Sequence, residues 1–256
     1  MPRLKQEIRV IPVKVDRDIM PGDRLYNLIL QSAVSQGVKL TDGDVVIIAQ
    51  KIVSKAEGQI VPLGSLEPSD LALSLARASG KDPRLIELVL RQSKSIVKIS
   101  NGIIIAETKH GFVCANAGID QSNIINSDEN ALLLPENPDA SAKQIMDKLK
   151  EKTNRDIAVI VTDSFGRPFR NGQANVAIGV AGLNPLKSYI GEKDMYGKIL
   201  RVTEIAVADE LASAAELVMG KSACVPIAIV RGYNYEKSKE ASVDDLIRVK
   251  EKDLFR

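Results

Sequence analysis

The chain has 256 residues, of which 45% are hydrophobic and 27% charged, with a formal net charge of +2. That is enough apolar material for one substantial core, or for two intimate lobes with a boundary near residue 150. The near-neutral balance, with basic residues scattered and no aromatic interleaving, argues against a nucleic-acid binder, and no apolar run reaches bilayer length.

In chain order, Ile8–Val13 reads as a short opening strand and Pro21-Gly22-Asp23 as a turn. Leu25–Ala33 has the spacing of a helix face. Asp42-Gly43-Asp44 turns into Val45–Ala49, a β-branched apolar run that predicts a buried strand. Gln50, Lys51, Ser54, Lys55 and Glu57 follow it, polar groups at the end of a strand. Pro68-Ser69-Asp70 and Asp82-Pro83 are helix starts, because an Asp or Ser accepts from free amides and proline fits the first turn. Asn101-Gly102 between two apolar runs predicts a hairpin. A loop over Pro135–Asp139 leads to a helix over Ala140–Leu149, and Ile157–Val161 is a second buried strand ending at Thr162-Asp163-Ser164. Glu204–Met219 is the longest predicted helix, Pro226–Val230 a late strand, and the charged tail from Glu236 a surface helix or frayed end. Mixed elements with hairpin signals indicate an α+β fold with mixed and antiparallel sheets.

Met1–Val10 carries charge with no hydrophobic stretch behind it, so it is not a secretory leader. The two cysteines, Cys114 and Cys224, read as reduced, and the location as cytoplasmic. His110 is the single histidine, so a His-rich zinc site is excluded and oxygen ligands for magnesium or manganese are favoured. His110 is open between a base and a structural residue. Gly220-Lys221-Ser222 imitates the end of a phosphate-binding loop, but Ala215 stands where its first glycine belongs, and a helix precedes it.

Two segments can carry chemistry. Asn116–Asn123 and Thr162–Arg170 each present one carboxylate, Asp120 and Asp163, in what reads as a polar turn containing glycine. Brought together, they offer a hard cation two carboxylates, with the Ser164 hydroxyl beside them. The alternative is that Asp120 only caps a turn through its own backbone and Asp163 caps the next segment. Arg167 and Arg170, close to Asp163 in sequence, can hold an anionic substrate or pair with local acids. Phe165 and Phe169 are expected to pack inward. Asp194 is a weaker third carboxylate. Lys51 and Lys55, at helical spacing, can neutralise phosphates or simply face solvent.

These residues also carry a family likeness. Asp42–Val46, Ile52–Gly58, Gly111–Asp120, Leu132–Pro135, Val161–Arg170, Ala177–Gly182, Val207–Leu211 and Met219-Gly220 resemble, in order and over nearly the whole chain, the coenzyme F420-0:γ-glutamyl ligase family. The resemblance implies a homodimeric α+β ligase, unrelated to P-loop or ATP-grasp proteins, forming one unit over residues 1–256. It implies addition of L-glutamate to F420-0 with GTP as co-substrate, a divalent cation (Mn2+ or Mg2+) and K+. It puts metal on Asp120, Asp163 and Ser164. Nucleotide contacts fall on Asp16, Arg17, Asp18, Ile19, Gln50, Lys51, Lys55, Asn123 and the stretch Met219, Gly220, Lys221, Ser222, Ala223, Cys224 and Val225. Arg167 or Arg170 is implied to support phosphoryl transfer. The chain departs from the pattern twice: Gln50-Lys51 replaces a pair of small hydroxyl residues seen in some relatives, and Gln173-Ala174-Asn175 lacks an expected Thr-Asp pair. Competing readings are the same chemistry on another carboxylate cofactor, a non-catalytic nucleotide- or F420-binding protein, and a metal-dependent phosphohydrolase.

Overall fold

A computed structural model describes residues 7–253. The start of the amino-terminal stretch, residues 1–6, and the last three residues of the tail lie outside the described residues.

The architecture is α+β. In chain order the elements are β1 (Arg9–Val13), α1 (Leu25–Ser35), β2 (Val45–Ala49), α2 (Gln50–Ala56), β3 (Ile60–Pro62), α3 (Asp70–Ser79), α4 (Pro83–Gln92), β4 (Ser93–Ser100), β5 (Ile103–Thr108), β6 (Val113–Ala115), β7 (Asn130–Leu132), α5 (Pro138–Thr153), β8 (Ala158–Arg167), β9 (Arg170–Ala181), β10 (Lys187–Ser188), β11 (Glu204–Ile205), α6 (Val207–Met219) and β12 (Ile227–Arg231). The main sheet has the order β1-β12-β2-β8-β9. Only β2 and β8 run parallel in it; the other neighbours are antiparallel.

The main sheet is buried on both faces, and the period-2 alternation of strands sorts its side chains. Val46, Ile48, Val159 and Val161 pack with α1 and α5. Val45, Ile47, Ala158 and Ile160 pack with α6 on the other side. Each fully buried Ile contributes about 1.5–3 kcal/mol of transfer free energy. Gly179 lets the start of α5 lie against β9: a Cβ there would meet the Pro138 carbonyl at 2.4 Å. A second layer sets α3 and α4 against the β4-β5-β6 sheet, around Ala72, Ile86, Val89, Ile104 and Ala106. β3 pairs with β7 beside it.

Several boundaries differ from the sequence reading. β8 does not end at Thr162–Ser164 but continues to Arg167, because β9 supplies a hydrogen-bonding partner after β2 has stopped. Asp163 therefore sits in a strand and not in a turn. α6 starts at Val207, since Glu204–Ile205 pair with Lys187–Ser188, and α5, with 16 residues, is longer than α6, with 13. α5 begins two residues earlier than expected, with Asn137 accepting from the Ala140 amide and Pro138 in the first turn. The tail docks instead of fraying or forming a surface helix. It makes two 3-10 turns, Val243–Leu246 and Lys250–Lys252, and Asp139 accepts from the Val243 amide at 3.0 Å and the Ser242 hydroxyl at 2.9 Å. Among the described residues no helix is long and apolar enough to cross a membrane.

Candidate active site

Topology decides where polar groups gather. β1, β2 and β8 all point the same way, so β1 and β2 end at Val13 and Ala49 along one rim of the main sheet, level with Thr162 of β8, where β12 also begins. Backbone bonds stitch the segments at this rim: the Val15 amide donates to the Cys224 carbonyl at 2.9 Å, and Ala49 donates to Pro226 at 2.9 Å. Asp16–Ile19, Gln50–Lys55 and Lys221–Val225 thus become neighbours. Lys55 Nζ reaches Asp18 Oδ1 at 2.6 Å, and that contact, opposed by burial, holds the Asp18 carboxyl below the usual range. Arg17 is not free for a phosphate, because its guanidinium forks onto Asp23 at 2.7 and 3.0 Å. Asp16 pairs with Lys14. The Ile19 and Met219 side chains are core residues, so only their backbones can face a ligand.

α2 starts directly after β2. Since Ala49 pairs with Thr162, Gln50 and Lys51 emerge beside Asp163. Gln50 is buried; its Oε1 accepts from Ser54 at 2.8 Å, while its amide nitrogen is buried without a protein partner. Such a donor normally meets a partner, and here a ligand can supply it.

Asp163 stands just past an irregularity in β8–β9 pairing. Val161 faces Gly179 but Thr162 faces Ala177, so Ile178 is an extra residue. Bulges of this kind re-aim side chains. The Ala177 amide there is taken by Asp209 of α6 at 2.8 Å. Phe165, on the same face as Asp163, meets Phe112 edge-on at 6.1 Å between centroids. Asp163 keeps some accessible surface, yet crowding by protein dominates its environment. Burial, reinforced by the charge of Asp120, raises its carboxyl to about 6 against the pull of the Ser164 amide, Lys51 and Lys221.

Asp120 arrives from the other layer. It exchanges backbone bonds with Leu132, at 3.1 and 2.8 Å, after a tight turn over Asn116–Gly118. Gly118 is required there: its φ is +73°, and a Cβ would meet Leu134 at 2.8 Å. Asp120 Oδ1 accepts from the Ser122 amide at 2.6 Å, and Oδ2 pairs with Lys51 Nζ at 2.7 Å. Burial pushes this carboxyl up, but Lys51 and Ser122 outweigh it and the net shift is downward. Asp120 is therefore both a turn residue and a member of the charged cluster. The Cys114 thiol, on the neighbouring strand, is pushed up to about 12 by burial and by Asp163.

Neighbours on a strand project oppositely, so Ser164 faces the α6 side. Its hydroxyl donates to Asn175 Oδ1 at 2.5 Å and accepts from Lys221 at 2.5 Å. Glu216 completes this cluster, accepting from Asn175 Nδ2 at 3.0 Å and pairing with Lys221 at 3.0 Å. Glu216 carried no signal in the sequence; only the packing of α6 on β9 brings it here. Asn175 stands in the Gln173–Asn175 stretch where the chain departs from the expected pattern.

Other expectations are placed elsewhere. Arg167 and Arg170 flank the tip of the β8–β9 hairpin, and four strand residues separate Arg167 from Asp163 by about 13 Å. Arg167 donates to the Asn171 carbonyl at 2.5 Å. Phe169, expected inside, is 89% exposed at that tip. Asp194 accepts from the amides of Tyr196 and Lys198 in its own turn. His110 Nε2 lies 3.0 and 3.1 Å from the carbonyls of Pro135 and Glu136, so it carries the proton and fastens a loop. Asn123 is exposed, with φ +57°, three residues beyond Asp120. A cleft of about 510 Å3 lined by His110, Asn137, Lys143 and Ser242 includes none of Lys51, Asp120, Asp163 or Lys221.

Among the described residues, no three His, Cys, Asp or Glu side chains converge as a metal-holding group. The protein offers a carboxylate pair, and its chemistry fits a hard divalent cation: the Asp120 charge makes Asp163 costlier to ionise, and a cation between them relieves that cost.

The family model described as F420-0:Gamma-glutamyl ligase matches residues 14–232. This chain belongs to that family. The ligase is 48% identical to a coenzyme F420:L-glutamate ligase of Methanothermobacter thermautotrophicus, over 92% of this chain and 93% of the relative. It is 41% identical to the protein of that name from Methanocaldococcus jannaschii, over 99% of each chain. The Methanopyrus kandleri protein is 43% identical, over 97% of this chain and 98% of its own. The matched stretch contains Asp120, Asp163, all three rim lysines and the Asn175–Glu216 cluster.

Proposed function

We propose that this ligase attaches L-glutamate to coenzyme F420-0, with GTP as co-substrate, Mn2+ or Mg2+ at the Asp120–Asp163 pair and K+ as a further cation. One observation carries the reading: a single edge of the sheet gathers two carboxylates from different layers with Lys51 and Lys221 beside them, and Lys55, on Asp18, one turn of α2 beyond Lys51. Mixed charge of this kind suits a cation bound together with a polyphosphate. The names of the relatives supply the acceptor and the amino acid.

A carboxylate is a poor acylating agent. In the proposed reaction a carboxylate oxygen of F420-0 attacks the γ-phosphorus of GTP, giving an acyl phosphate and GDP. The amine of L-glutamate then attacks the acyl carbon, the amide forms, and phosphate and a proton depart. The first linkage is to the lactyl carboxylate; repetition at the side-chain carboxylate of the new glutamate makes the next one γ. A divalent cation at the acidic pair supplies charge neutralisation between carboxylate and phosphates. The chain's own groups bind and orient. Lys51, Lys55 and Lys221 offset phosphate charge, the free amide of Gln50 donates to the nucleotide, and Asp16–Ile19, Asn123 and Met219–Val225 frame it with backbone and exposed side chains. Ser164, held by Asn175 on the α6 side, orients Lys221. Arg167 and Arg170 are assigned no step from the hairpin tip.

The ligase is further read as one cytoplasmic unit that works as a homodimer. The β10–β11 ribbon supports the dimer: it leaves Met195, Tyr196 and Val202 between 85% and 88% exposed, and isolated two-stranded ribbons are marginal in water.

The test is incubation of purified protein with GTP, Mn2+, L-glutamate and F420-0, followed by mass spectrometry. The expected result is F420-0 heavier by one or more glutamyl units, dependent on every component. Phosphate release without glutamate, and no heavier product, would mark a phosphohydrolase. No mass gain from folded, metal-replete protein would sink the assignment.

A further inference from the structure

The Lys51 ammonium is docked on the proposed cation site. It has three N–H donors, and three acceptors meet it: Asp120 Oδ2 at 2.7 Å, the Ser122 hydroxyl, and the Ser122 carbonyl at 3.3 Å. Its side chain is 24% exposed, so the pair is partly shielded from water. The other Asp120 oxygen is taken by the Ser122 amide. The same ammonium also favours the charged form of Asp163. One lysine thus pairs with Asp120 and also eases the ionisation of Asp163. It sits two positions after the end of β2, in the first turn of α2.

We propose that Lys51 is an internal counter-ion that makes cation binding conditional on nucleotide. The proposal rests on the reading of Asp120 and Asp163 as the cation site. With no nucleotide present, the ammonium competes with a divalent cation for Asp120 and repels it from the pair. A polyphosphate at the rim offers Lys51 an alternative anion. Rotation of the lysine chain onto phosphate frees Asp120, and the cation enters the position that the ammonium held. The exchange replaces the single positive charge of the ammonium by the two of the divalent cation, so the carboxylate pair is neutralised more fully once Lys51 has moved to phosphate. Cation and nucleotide then bind with positive coupling, and by linkage each strengthens the other by the same factor.

The experiment measures Mn2+ binding by the paramagnetic signal of free Mn2+, with and without GDP, for the unaltered protein and for Lys51→Met, Lys51→Arg and Asp163→Asn. Circular dichroism confirms that each variant is folded, and Lys51→Gln replaces Lys51→Met if the latter is not. Removing the ammonium is expected to tighten nucleotide-free Mn2+ binding about tenfold and to shrink the GDP-induced gain in Mn2+ affinity by a similar factor. Lys51→Arg, which keeps the charge, is expected to preserve the coupling. If Lys51→Met leaves both quantities unchanged while Asp163→Asn weakens Mn2+ binding, the counter-ion role is wrong and the cation site stands. If Asp163→Asn leaves Mn2+ binding unchanged, the cation-site reading fails and takes the counter-ion role with it.

Discussion

Replacing Asp163 by Asn should make the metal-free protein more stable at neutral pH. Burial and the nearby Asp120 charge raise this carboxyl from an ordinary 3.8 to about 6. The folded state therefore holds its proton over a window, between about pH 4 and pH 6, in which the unfolded chain has released it. Stability must fall as pH rises through that window, because the unfolded state binds fewer protons there. A shift of roughly two units corresponds to about 3 kcal/mol once the group is fully charged, at 1.36 kcal/mol per unit. Asn is isosteric and can still accept from the Ser164 amide, so it removes the charge and leaves the packing. Urea unfolding in a chelator, at steps between about pH 4 and pH 8, measures the difference between the two proteins. The curves should nearly coincide near about pH 4, diverge from there to about pH 6 and run parallel above it, with Asp163→Asn the more stable by up to about 3 kcal/mol. Trends from other carboxylates are common to both and cancel. An Asn variant equal to or weaker than the parent at neutral pH, with unchanged m-value, would show that Asp163 is not electrostatically strained.

Two structural predictions accompany it. Gly179→Ala drives a methyl into the Pro138 carbonyl, where backbone and not a flexible side chain must yield; a loss of about 3 kcal/mol is expected by thermal unfolding, with β9 and the start of α5 losing protection first. Asp139→Ala removes the acceptor shared by the Val180 amide, the Val243 amide and the Ser242 hydroxyl; hydrogen exchange over residues 242–247 should quicken sharply, at a stability cost of about 2–3 kcal/mol.

Much of the frame was legible because local chemistry and burial agree along it. Val45–Ala49 and Ile157–Val161 lie in the sheet core, as continuous β-branched runs should. Ser69 and Asp82 cap α3 and α4, and Asn101 and Gly102 take the positive φ that their hairpin needs. The carboxyl-terminal half of β8 was hidden because its residues are polar and its partner is found only through β9. The Ile178 bulge, which aims Asp163, leaves no mark in a single sequence. Nearness along the chain misled at Arg167 and Arg170: in a helix four residues return to the same side, but in a strand they move far away. Conversely, Lys51 and Ser122, or Asn175 and Glu216, meet only through topology. The acidic residues themselves were visible, and it was the sheet that decided which basic groups faced them.

The two acids hang from separate frameworks, Asp163 from the main sheet and Asp120 from the loop paired with Leu132, and the edge-on contact of Phe112 with Phe165 bridges those frameworks directly. Ring size at that bridge acts as a calliper on the gap between the carboxylates. Trimming either ring is expected to shift those jaws with every charge still in place, so at the proposed cation site the fit would be set in part by an oily contact that touches no ligand at all.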